Sequence, residues 1–110
     1  MIKNKTKNTI VSGNFKRIES IFDKTLGLIG KNEPQTYILK TRAGIHTFGV
    51  RFPIDILILD DKLKVRYVKE ALKPNRVFFW NPKYNLVVEL KNGAVKNSRT
   101  KTGDYLEFKL

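Results

Sequence analysis

The stretch Ile54-Asp55-Ile56-Leu57-Ile58-Leu59-Asp60 constrains the fold more than any other part of the chain. Its apolar residues, several of them β-branched, occupy both parities of a two-residue repeat, so a strand built from it is buried on both faces. That predicts a central strand. Pro53 suits its first position, because a proline removes a ladder hydrogen bond and is tolerated at a strand start. Asp55 is the anomaly: it shares a face with Leu57 and Leu59, where an unpaired carboxylate is costly. The local donors for it are His46, Thr47, Arg51 and the backbone amides of the preceding segment.

The string His46-Thr47-Phe48-Gly49-Val50-Arg51-Phe52-Pro53-Ile54-Asp55, followed by an apolar strand and an acidic turn, carries a family resemblance. So do Gly27-Leu28-Ile29, Leu86-Val87-Val88-Glu89-Leu90 with Gly93, and Gly103-Asp104, in the same order. Together they resemble domain-of-unknown-function family 192, small prokaryotic proteins with no assigned activity, over roughly residues 15 to 110. The resemblance implies a compact, mostly β, barrel-like fold and implies no reaction. Gly49-Val50 stands where many members carry Trp-Met, so a stacking role of that tryptophan does not transfer. Val50 and Ile29 replace methionines, a swap that core packing tolerates.

With 110 residues and no internal repeat, a single domain is expected. Residues 1–13 read as an N-terminal arm with an edge strand, and residues 14–110 as the barrel-like body. The absence of cysteine removes disulfides and thiolate metal sites. No apolar run reaches signal-peptide or membrane-span length, so the expectation is a soluble cytoplasmic protein, a monomer or weak homodimer. Lysine and arginine total 22 against 10 acidic residues, a formal charge of +12. That balance favours polyanions as partners, although scattered lysines also serve solubility alone.

Along the chain, Thr6 to Val11 read as a lysine-guarded edge strand and residues 1–5 as a frayed end. From Asn14 the period changes. Phe15, Ile18, Phe22, Leu26 and Ile29 fall at helical steps, predicting an amphipathic helix capped by Asn14 and stopped at Gly30. Strands follow over 35–40, over the central run, over 62–69 and over 84–90. Between the last two, the aromatic segment Val77-Phe78-Phe79-Trp80 is either buried on two sides or leaves Phe79 or Trp80 open as a stacking platform. A short helical segment at 94–101 and a closing strand from Tyr105, with Leu106, Phe108 and Leu110 inward, complete the chain. The fold expected is mainly β with one amphipathic helix, an α+β closed or partly open barrel of about seven strands.

One histidine and one adjacent acidic pair, Asp60-Asp61, argue against a metal site, and no cofactor-binding fingerprint is present. Three readings remain for His46 with Asp55: a structural hydrogen bond, a ligand pocket, or general acid–base catalysis. The preferred reading is a non-enzymatic binding module whose mouth, lined by His46, Thr47, Arg51 and Asp55, receives a small polar or anionic ligand. A second is non-specific nucleic-acid contact through Lys62, Lys64, Arg66, Lys96, Arg99 and Lys101. A third is a hydrolase or isomerase using His46 as base.

Overall fold

The run from Ile54 forms β6 (Ile54–Leu59), in which all six residues are buried. The computed structural model describes residues 1–18, 35–41 and 44–110. β6 pairs antiparallel on one edge with β7 (Val65–Leu72) and on the other with β9 (Leu86–Lys91). β9 pairs in turn with β4 (Tyr37–Lys40), which receives β3 (Lys16–Ile18) in parallel. The five-stranded sheet therefore runs β3-β4-β9-β6-β7, with β9 at its centre and β7 at an edge.

Each face of this sheet has its own cover. On one side Leu57, Leu59, Val88 and Leu90 pack with Ile2, Val11 and Leu106. Those three belong to or adjoin a sheet of β10 (Leu106–Phe108), β1 (Ile2–Asn4) and β2 (Thr9–Ser12), in that order. Helix α1 (Ala94–Ser98) adds Ala94 and Val95 to the same core. On the other side Ile54, Ile56, Ile58 and Val87 pack with Tyr37, Leu39, Val50 and Trp80. A ribbon of β5 (Gly44–His46) and β8 (Val77–Phe79) lies there, contributing Ile45 and Phe78.

The described residues thus form ten strands and one short helix in three sheets, and no sheet closes on itself. This corrects the expected barrel of about seven strands. A barrel offers its strands one interior, whereas apolar residues on both faces of β6 require a covering layer on each side. The expected frayed start is also corrected. Ile2 and Asn4 are fully buried, because β1 is the middle strand of the three-stranded sheet.

The predicted helix from Asn14 does not begin there: Lys16–Ile18 are a strand whose register runs Lys16 to Tyr37 and Ile18 to Leu39. Sheet pairing overrides helical periodicity at these residues. Phe22, Leu26, Ile29 and Gly30 lie outside the described residues, as does Arg42. Of the aromatic pair, Trp80 is buried with its Nε1 donating to the Tyr84 carbonyl at 2.6 Å, and Phe79 stands 72% exposed. Leu110, expected inward, is fully exposed beyond β10.

Candidate functional site

Asp55 is fully buried, and three backbone amides satisfy it. Oδ1 accepts from Ala71 N at 2.9 Å, and Oδ2 accepts from Gly93 N and Val95 N at 3.1 Å each. Register explains the choice. Asp55 lies opposite Leu90 on β9, two residues before the turn that opens α1. Gly93, at φ 99°, starts that helix and has no side chain to cap it, so the carboxylate of the neighbouring strand does so. The other oxygen holds Ala71, a left-handed residue at φ 53° where β7 bulges against β6.

His46 is exposed, its ring stacked on Phe48 at 5.1 Å with Nδ1 accepting from Phe48 N at 3.3 Å. Arg51 is exposed as well, on the loop between the ribbon and β6. Thr47 is fully buried and acts as a clamp: its Oγ1 donates to Lys73 O at 2.7 Å and accepts from Arg76 N at 2.9 Å. It ties the turn after β5 to the loop between β7 and β8. The expected convergence on Asp55 is therefore divided. Thr47 and Asp55 are sealed in place by backbone groups, and His46 and Arg51 stand at the surface.

A second buried acid escaped the sequence reading. Glu89 on β9 is fully buried, opposite Tyr37 on one side and Ile56 on the other, and among the described residues neither carboxylate oxygen has a hydrogen-bond partner. Burial pushes its carboxyl up from 4.5 to about 7. Tyr37 responds in kind, its phenol raised first by burial and second by the charge of Glu89. The signal was present: Leu86-Val87-Val88-Glu89-Leu90 is apolar on both parities, like β6, so its acid has no wet face to occupy.

Cations gather elsewhere. At the end of the seam between the three-stranded and five-stranded sheets lies a cleft of about 630 Å³. Lys5, Arg17, Lys40 and Lys62 line it with Asp61 and Glu107, over the apolar groups of Leu63, Leu86, Leu106 and Phe108. These residues come from β3, β10, the end of β4, the start of β9 and the segments that follow β1 and β6, which meet there because the two sheets pack face to face. The Arg17 guanidinium sits 5.9 Å from the Phe108 ring centroid, so its stem is held against the apolar floor. Among the described residues neither acid forms an ion pair with these cations. A larger cleft of about 730 Å³, beside β2 and α1, is lined mainly by neutral amide, hydroxyl and apolar groups, with Lys16 and Lys91 as its cations.

Beside the basic cleft runs a strip of alternating cations and tyrosines along the β7 edge. Lys64 bridges to Tyr105 through the backbone, and its Nζ lies 5.8 Å from that ring. Arg66 lies 5.3 Å from the Tyr84 ring, Lys83 lies 5.9 Å from it, and Tyr67 meets Tyr84 edge-on at 6.2 Å. Tyr67 and Tyr105 are 38% and 42% exposed. Asp60 organises the strip: it accepts from the amides of Lys62 and Lys64 and from Arg66 Nε at 3.0 Å. Partial burial works against its ionisation, but these hydrogen bonds and the Arg66 charge outweigh it and hold the carboxyl below its ordinary value.

Of the six cations expected to form a nucleic-acid face, Lys62 lines the cleft, and Lys64 and Arg66 belong to this strip. Lys96 and Arg99 sit on or just after α1, at the opposite end of β9 from Leu86, a separation of about 17 Å along the strand. Lys101 lies in the turn before β10, its amide bonded to Asp104. No helix among the described residues is long and apolar enough to cross a membrane.

The UPF0127 protein PH1112 of Pyrococcus horikoshii is 28% identical over 114 residues, covering 98% of both chains. Two crystal structures share the fold. One, from Sinorhizobium meliloti and described only provisionally as a transcription regulator, superposes with a TM-score of 0.77 at 19% identity, over 84% of this chain and 79% of that one. The other, a protein of unknown function from Novosphingobium aromaticivorans, has a TM-score of 0.76 at 16% identity, over 86% of this chain and 74% of that one. Residues 19–108 match the profile of domain-of-unknown-function family 192, the uncharacterized ACR family, and the chain belongs to that family.

Proposed function

We propose that the protein is a non-enzymatic binding module and that the basic cleft receives a small anionic ligand. The observation that carries this reading is the arrangement of Lys5, Arg17, Lys40 and Lys62 around an apolar floor. Four cations face two carboxylates there, in a concave site whose walls come from four strands and two connecting loops. A ligand with phosphate or carboxylate groups beside a short apolar portion matches both components. The formal charge of +12 adds a long-range attraction of the same sign.

The cleft replaces the mouth expected around His46, Thr47, Arg51 and Asp55 because the polar atoms of Thr47 and Asp55 are already committed to backbone. Catalysis by His46 with Asp55 loses its support for the same reason, since a base needs its orienting partner within hydrogen-bond reach. Calorimetric titration with tripolyphosphate tests the proposal. Binding weakened two- to fivefold by Arg17→Ala and by Lys62→Ala is expected from losing one solvent-exposed charge contact. Heats that are absent at low ionic strength, or that are unchanged in both variants, would overturn it.

A further inference from the structure

The cleft and the tyrosine strip are continuous, and we infer that together they form a path for single-stranded nucleic acid, with phosphates in the cleft and bases on the strip. This deepens the reading of the cleft as an anion site and rests on it. The continuity is in the backbone: Lys62 and Leu63 line the cleft, and Lys64 follows them into the bridge with Tyr105. Leu106 lines the cleft from the other side and donates its amide to Leu63 O at 2.9 Å, so Tyr105 stands at the rim.

Two rings on the strip have cations beside them, Lys64 at Tyr105 and both Arg66 and Lys83 at Tyr84, and Tyr67 joins them through its edge-on contact with Tyr84. A base stacked on such a ring brings its own phosphate within reach of that cation, which is the pairing that sequence-tolerant single-strand binding uses. Asp60 does not repel the strand as an isolated charge would, because Arg66 balances its charge and two amides donate to it. Exposed tyrosines specify the single strand, since the bases of a duplex are stacked on each other and present only their edges. A membrane surface would use the cations but has no flat rings for Tyr67 and Tyr105.

Fluorescence anisotropy with labelled oligothymidylate and oligouridylate, beside calorimetry with tripolyphosphate, tests the inference. Tyr105→Ala is expected to weaken oligonucleotide binding about tenfold, leave tripolyphosphate binding unchanged, and be rescued by Tyr105→Trp. Lys62→Ala is expected to weaken both ligands and to lower the slope of log affinity against log salt by about 0.7. Binding to one sugar type over the other supports the path and identifies its source. If Tyr67→Ala and Tyr105→Ala bind oligonucleotide as the wild type does, or if a hairpin duplex binds as well as a single strand, the base-stacking inference falls while the anion cleft stands. If Lys62→Ala and Arg17→Ala leave both ligands unaffected, the cleft reading itself falls. Binding to phosphatidylglycerol vesicles without binding to either oligonucleotide would also overturn the inference.

Discussion

Glu89→Gln should make the protein more stable, by an amount set by pH. The buried carboxyl of Glu89 titrates near 7 in the folded chain and at 4.5 when freely solvated. Below pH 4.5 it is protonated in both states and contributes no difference. As pH rises above 4.5 the unfolded chain gives up the proton and the folded chain holds it, so folding loses stability until the folded group also ionises near 7. The shift corresponds to about 3 kcal/mol at pH 8, falling to about zero at pH 4. Glutamine has nearly the same shape and never ionises. In urea melts of both proteins between pH 4 and pH 8, their stability gap should open from near zero to about 3 kcal/mol in favour of the variant. That corresponds to roughly 10 °C in melting temperature at pH 8 for a chain of this size. A gap that stays flat across this range, or that favours the wild type at pH 8, would refute the assignment of Glu89 as a buried acid whose ionisation burial opposes.

Asp55→Ala removes the acceptor of three amides at once and should cost about 3–5 kcal/mol in urea denaturation, while tripolyphosphate binding per folded molecule stays unchanged. His46→Ala, at an exposed position, should shift stability by no more than about 0.5 kcal/mol and leave tripolyphosphate binding intact. Burial opposes the ionisation of Asp104, but Lys7, Asn4 and the Lys101 amide outweigh it and hold its carboxyl below 3.8. Its stabilising contribution is therefore present above pH 3.8 and lost as pH falls through the folded value. Asp104→Asn should lie below the wild type in a denaturation series at pH 7 and converge with it in strong acid.

The apolar run of β6 marks a strand buried on both faces, but its sequence alone does not distinguish a layered fold from the expected barrel. Two dry faces call for two covers, and the three-stranded sheet and the ribbon supply them. The alternation of Lys64 and Arg66 with Val65 pointed to a strand, which as β7 starts three residues later than the expected 62–69 because the turn extends to Leu63 at φ 64°, and the helical segment expected at 94–101 ends at Ser98. The need of Asp55 for donors was also readable, but not their identity. Local proximity favours residues 46 to 51, and only the pairing of β6 with both β7 and β9 brings Ala71, Gly93 and Val95 to it. The cleft was out of reach for the same reason. Lys5, Arg17, Lys40 and Lys62 are spread over more than half the chain, and nothing in their spacing announces that two sheets bring them to one end. Lys16–Ile18 show the converse failure, where a helical period was coincidental and a parallel partner in β4 decided the conformation.

Amide chemical shifts of isotope-labelled protein, followed while tripolyphosphate is added, test the placement of the site most directly. The account predicts saturable changes at Lys5, Arg17, Lys40, Lys62 and Leu63, around the cleft, with little movement at His46, Thr47 and Asp55. Saturable changes centred on His46 and Arg51, or a spectrum that does not move at low salt, would contradict it.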